Sequence, residues 1–140
     1  MCGIVGIVSS GGPVTGRTLA RGLDALAKRG PDGRGAWITD EVALGHCRLA
    51  LVGDPEDTQP LASEDGSIQV VVNGEFYDHQ RIRRELEREG HVFQTRTDSE
   101  IAVHLYEQLG EKFVTRSRNS LQRNRSALGK TLGKSFNNTP

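Results

Sequence analysis

The chain begins Met1-Cys2-Gly3. An initiator Met before a small side chain is normally removed, and its removal would leave Cys2 with a thiol and a free α-amino group on one residue. Thiols titrate near ~8.5 and α-amines near ~7.7–8.0. The amine can therefore take the thiol's proton and leave the thiolate, which is the nucleophilic form. Such a residue supplies its own base, a compact version of the nucleophile–base logic of hydrolases. The residue types that would serve it occur further along. Asn73-Gly74 offers a side-chain amide and a backbone N–H with the composition of an oxyanion hole, and is equally a hairpin-turn dipeptide. Arg48 carries a planar fork that suits a carboxylate, and is equally a solvated strand-end residue. Asp98 could hold an ammonium group, and is equally a helix start. Taken together they describe one ligand, an α-amino acid with a hydrolysable side-chain carbonyl, for which glutamine is the natural candidate.

These groups need elements to position them. Gly3-Ile4-Val5-Gly6-Ile7-Val8 is a short apolar run and predicts a buried strand that would hold Cys2 at its mouth. Leu19, Leu23 and Leu26 recur at helical spacing, predicting a helix over 15–28 that Gly30-Pro31 stops. Ala36 to Thr39 and Val42 to Leu49 read as strands, the second ending at Arg48. Ala50 to Gln59 reads as a loop. Ser67 to Val72 reads as a core strand leading into Asn73-Gly74. A second helix over 79–89 buries Ile82 and Leu86, with Gly90 in the position of a C′ glycine. Val92 to Thr95 reads as a short strand, and a third helix over 100–109 is capped by Asp98-Ser99.

Length and composition set the limits. A chain of 140 residues is one domain by the usual prior. Net charge is zero, so no bulk charge draws it to nucleic acid or a membrane surface. Residues 115–140 hold six cations and no acid, with twelve Ser, Thr, Asn or Gln and five apolar residues. That composition cannot bury enough to offset its ordering entropy, and the segment is expected to be a disordered, basic polar tail behind a domain over residues 1–114. No apolar run approaches the ~20 residues of a membrane span. The start lacks the pattern of a secretory signal, so Cys2 and Cys47 are expected to be reduced thiols in the cytoplasm. Gly11-Gly12-Pro13-Val14-Thr15-Gly16-Arg17-Thr18 approaches a phosphate loop, but lacks its Lys and carries a Pro in the cradle. The four histidines show no metal spacing with the two cysteines.

Several runs occur together in the order and rough spacing of one family: Met1-Cys2-Gly3-Ile4-Val5-Gly6, Arg29-Gly30-Pro31-Asp32-Gly33, His46-x-Arg48-Leu49, Gln59-Pro60-Leu61, Asn73-Gly74-Glu75-x-Tyr77 and Thr97-Asp98-Ser99-Glu100. Over residues 1–114 the sequence resembles the class II glutamine amidotransferases, which are N-terminal-nucleophile hydrolases. It looks most like the glutaminase domain of glutamine-dependent asparagine synthetase. The resemblance implies an α+β fold, an αββα sandwich of antiparallel sheets flanked by helices and incomplete at the C-terminal end. It implies that Cys2 attacks the γ-amide of L-glutamine and forms a thioester, with Asn73 and Gly74 binding the oxyanion. Arg48 would take the substrate α-carboxylate. Asp98, helped by Glu75, would take the α-ammonium, and the backbone of Leu49, Ala50, Leu51 and Val52 would line the pocket. Ammonia would pass to a synthetase domain or subunit. ATP and magnesium are implied only for that synthetase domain; none is implied here.

Two readings follow. One is a working glutaminase. The other is a truncated, catalytically silent module that folds or acts only with a partner, or with a second copy of itself covering an exposed sheet face.

Overall fold

The computed structural model describes residues 2–50 and 58–113; the expected tail over 115–140, Leu51 and Val52 lie outside them. The fold is α+β, with antiparallel sheets and three α-helices among the described residues. β1 (Gly3–Val8), β2 (Gly33–Ile38) and β3 (Val42–Arg48) form one sheet in the order β1-β3-β2. β4 (Leu61–Ala62) and β5 (Gln69–Val70) form a second. The helices are α1 (Gly16–Leu26), α2 (His79–Arg88) and α3 (Ile101–Leu109).

Strand alternation assigns the two faces of the first sheet. Gly3, Val5 and Ile7 lie opposite Cys47, Gly45 and Ala43. On this face α1 seats Leu19 and Leu23 against Ala43 and Cys47, flanked by Val5 and Ile7. The fit is tight: a Cβ at Gly45 would stand 2.9 Å from a Leu23 methyl. The opposite face carries Leu44, His46 and Arg48 of β3, with Gly33, Gly35 and Trp37 of β2 across from Arg48, His46 and Leu44. It meets the segment leading into β4, because a Cβ at Gly35 would fall 1.7 Å from the Gln59 carbonyl oxygen. Behind β4 and β5, Leu61 and Val70 join Phe76, Ile82, Leu86, Ile101, Val103 and Leu105 in a second core under α2 and α3. The layers therefore run helix, sheet, sheet, helices.

Several expectations change. The opening strand is not buried throughout: Val8 is 63% exposed. β1 is an edge strand, and the central β3 takes the burial on both faces. The core strand expected over 67–72 shrinks to two paired residues, closed by a turn at Asp65-Gly66. There Gly66 has φ +72°. Asp65 Oδ1 accepts from Ser67 N and from the hydroxyls of Ser63 and Ser67, donors that hold its carboxyl down to about 2. Val92 to Thr95 is not a strand. The N–H groups of Gln94 and Thr95, which a ladder would use, go to the Glu100 carboxylate at 2.6 and 2.7 Å. The C′ position of Gly90 is as expected: His91 N bonds Leu86 O and Gly90 N bonds Glu87 O, a Schellman motif with Gly90 at φ +101°.

Two measurements follow. Burial, reinforced by the Arg48 charge, pushes His46 down from 6.5 to about 4. The folded form thus keeps this imidazole neutral where the unfolded chain would bind a proton, so stability is lost as pH falls from ~6.5 towards ~4. The shift is worth up to about 3 kcal/mol. Denaturant unfolding between pH 7 and 4 is expected to show a steeper loss in the native chain than in His46→Gln; equal slopes would contradict it. Separately, a Cβ at Gly30 would lie 2.3 Å from the Cys47 carbonyl carbon, whereas at Gly33 its nearest neighbour is 3.6 Å away. Gly30→Ala is expected to cost about 2 kcal/mol or more and Gly33→Ala well under half of that, read by the same unfolding assay.

Candidate functional site

Cys2 precedes Gly3, which pairs with Cys47. One step beyond that register Cys2 stands across from Arg48, on the face that meets the second sheet. Its Sγ accepts the Leu49 N–H at 3.4 Å, and the Leu49 carbonyl is 3.9 Å away. The thiol is partly buried, and Arg48 is 8% exposed. His46 is the next residue along this face, and its Nε2 has no hydrogen-bond partner among the described residues.

The Arg29–Gly33 turn braces this end of β3. Asp32 N bonds the Arg48 carbonyl at 3.0 Å, and Asp32 Oδ2 accepts the Ala50 N–H at 2.8 Å. The backbone of residues 48–50 is thereby clamped beside the sulfur. Gly30 packs directly on the Cys47–Arg48 peptide.

Asn73 comes from the far side of the sandwich. Its Nδ2 donates to the Cys2 carbonyl at 3.3 Å, across 71 residues of sequence. The hairpin alternative for Asn73-Gly74 fails, because a type I′ turn needs positive φ at both central residues and neither residue has it. Gly74 and Glu75 are exposed.

Asp98 was expected to cap the third helix with Ser99. Instead the Thr97 side chain accepts the Ser99 N–H and caps a 3₁₀ turn over Asp98–Glu100 that leads into α3. The Asp98 carboxylate is left to accept the Phe76 N–H at 2.7 Å, which ties it to the chain just past Asn73-Gly74-Glu75. Glu100 serves the fold instead: it is 2% exposed, and three donors from Gln94 and Thr95 satisfy it. The structure thus joins Cys2 to Leu49 and Asn73, and Asp98 to the segment after Glu75.

Two residues with no role assigned from sequence help build this arrangement. One is Asp32. The other is Gln59, whose Oε1 accepts the Val72 N–H at 2.6 Å and whose Nε2 donates to Ser99 Oγ at 3.3 Å. Both lie inside runs noted for their resemblance, which was the only signal in the sequence that could have found them.

Comparison with known proteins places the chain. Residues 1–119 match the family described as a glutamine amidotransferase domain. A probable glutamine-hydrolysing asparagine synthetase of Dictyostelium discoideum is 42% identical over 117 residues, 81% of this chain and 21% of that protein. A glutamine-hydrolysing asparagine synthetase of Bacillus subtilis is 38% identical over 118 residues, 81% of this chain and 16% of that protein. A solved Bacillus subtilis glutamine phosphoribosylpyrophosphate amidotransferase is similar with a TM-score of 0.46 and 28% identity, covering 61% of this chain and 20% of that one. The chain thus spans about a fifth of the length of these curated relatives. No helix among the described residues is long and apolar enough to cross a membrane. On the family match, supported by the convergence of Cys2, Asn73 and the clamped 48–50 backbone, this chain belongs to the glutamine amidotransferase domain family.

Proposed function

We propose that this chain is a glutaminase unit that hydrolyses the γ-amide of L-glutamine and supplies ammonia to a synthetase domain or subunit of the asparagine-forming kind. The observation that carries the reading is the Asn73 Nδ2 contact to the Cys2 carbonyl at 3.3 Å. It brings the one amide–glycine pair that forms no turn to the one cysteine near the chain start.

The chemistry begins once Met1 is removed. The Cys2 α-amine takes the thiol proton and Sγ attacks the γ-amide carbon. The oxyanion is met by Asn73 Nδ2 and the Gly74 N–H. A side-chain amide has two N–H donors, so one held by the Cys2 carbonyl leaves the other for the oxyanion. The C–N bond then breaks, the amine proton passes to the departing nitrogen, and ammonia leaves a thioester on Cys2. Water attacks the thioester, releasing glutamate and restoring the thiol. Arg48 takes the substrate α-carboxylate, Asp98 with Glu75 takes the α-ammonium, and the backbone from Leu49 onward lines the pocket. Asp32 and Gln59 act as positioning residues, one fixing the 48–50 backbone and the other fixing the approach to Asn73. The step needs no cofactor; ATP and magnesium belong with the synthetase reaction that consumes the ammonia.

The test is glutamate release from glutamine by purified chain whose mature N-terminus, read by mass spectrometry, is Cys2. Cys2→Ala is expected to lower turnover by at least about 10³-fold. Asn73→Ala is expected to lower kcat about 10²-fold with KM little changed, and Arg48→Lys to act mainly on KM. A folded chain with Cys2 exposed as the first residue, but without turnover, would instead favour the non-catalytic module that works only with a partner.

A further inference from the structure

Away from the Cys2 site, three side chains with metal-ligating atoms converge at the outer end of the α2–α3 layer. His91 Nδ1 lies 3.1 Å from Glu107 Oε2, and His104 Nδ1 lies 2.9 Å from the same oxygen. The three ligand atoms all fall within 4.8 Å of one another. His104 and Glu107 sit one turn apart on α3, on the same side of the helix. His91 follows the Schellman turn that ends α2. Stacking fixes the rings: His104 is 4.2 Å from the Phe93 ring and 5.1 Å from the His91 ring, centroid to centroid.

We propose that His91, His104 and Glu107 form a divalent-metal site of the zinc class, through two imidazole Nδ1 atoms and one carboxylate oxygen. Ligand atoms ~2.0–2.2 Å from a tetrahedral ion are about 3.3 Å apart. The two nitrogen–oxygen separations here, 3.1 and 2.9 Å, need only small outward movements to reach that spacing. Two imidazoles and a carboxylate favour zinc or a neighbouring transition ion over calcium or magnesium, which prefer oxygen. The site is open on one side, since Glu107 and His91 are 26% and 19% exposed. An open side leaves the fourth position to water.

A second observation concerns the other nitrogen of His104. Its Nε2 is buried without a hydrogen bond and lies 3.7 Å from Glu100 Oε1. If Nδ1 carries the proton and donates to Glu107, a bare Nε2 lone pair faces a buried carboxylate, acceptor against acceptor. A metal on Nδ1 forces the proton onto Nε2, where it points at Glu100. That is the carboxylate–histidine–metal arrangement that orients ligating histidines elsewhere. Only an imidazolium at His104 would otherwise give both nitrogens a partner.

The test uses the full chain in a Cys2→Ala background, so that the N-terminal thiol cannot chelate. Zinc or cobalt is titrated alone. One saturating equivalent is expected, with a raised melting temperature and, for cobalt, visible d–d bands without a thiolate charge-transfer band. His91→Ala and Glu107→Gln, both at partly exposed positions, are each expected to weaken binding at least ~10-fold. Nitrogen NMR of His104 in the zinc-bound form is expected to place its proton on Nε2. Failure to saturate, variants that bind as tightly as the parent chain, or an imidazolium at His104 that zinc does not alter would each overturn the proposal.

Discussion

Gln59 makes three contacts on which the site's geometry depends. Its carbonyl oxygen lies where a Cβ at Gly35 would have to go, so β2 and the entry to β4 touch backbone to backbone. Its side-chain oxygen holds the Val72 N–H, one residue before Asn73, and its side-chain nitrogen holds Ser99, one residue after Asp98. One residue therefore sets the spacing between the Cys2 sheet, the Asn73-Gly74 segment and the Asp98 turn. A hydrogen bond nets only about 0.5–1.5 kcal/mol. The importance of Gln59 is thus geometric more than energetic: three segments distant in sequence share one origin.

Polar groups around this frame divide their labour by burial. Glu100 is enclosed and accepts three hydrogen bonds from Gln94 and Thr95, as an internal carboxylate must find partners. His46 is enclosed and stays neutral, because both burial and Arg48 disfavour its charge. Asp98 is partly open, and holds the Phe76 N–H. The Thr97 cap permits this. With Thr97 satisfying the Ser99 N–H, the neighbouring carboxylate is released from capping and can organise the loop that follows Glu75.

The sequence made the first half of the fold legible because its signals were periodic. Leu19 and Leu23 mark the buried stripe of α1, and the apolar runs before and after Trp37 lie where β1 and β3 form. The second half was harder. Ser67 to Val72 has strand composition, yet Gln59 captures the Val72 N–H before a ladder can form. Gln94 and Thr95 are drawn away in the same manner by Glu100. Both are captures of strand-type N–H groups by a polar side chain, across thirteen residues for Gln59 and five or six for Glu100, and no apolar periodicity announces them. The candidate site residues stand out by type, while Asp32 and Gln59 fall inside the resembling runs without any residue-type signal of their own, since a clamp on a backbone N–H leaves no signature in composition.

Two of the Asx–glycine dipeptides show where local grammar ends. Asp65-Gly66 and Asn73-Gly74 are both strong turn signals by type. Only the first is a turn, with Gly66 at φ +72° and Asp65 bonded to its own loop. Asn73 has the same local option but spends its side-chain amide on the Cys2 carbonyl, 71 residues away. Neither residue of the pair enters the left-handed region that a type I′ turn needs, so the chain is not reversed there. What the contact does is hold the Asn73 amide against the Cys2 backbone, the placement on which the proposed oxyanion role rests. The departure from local turn preference is itself the physical argument that this pair is held in place for something other than reversing the chain.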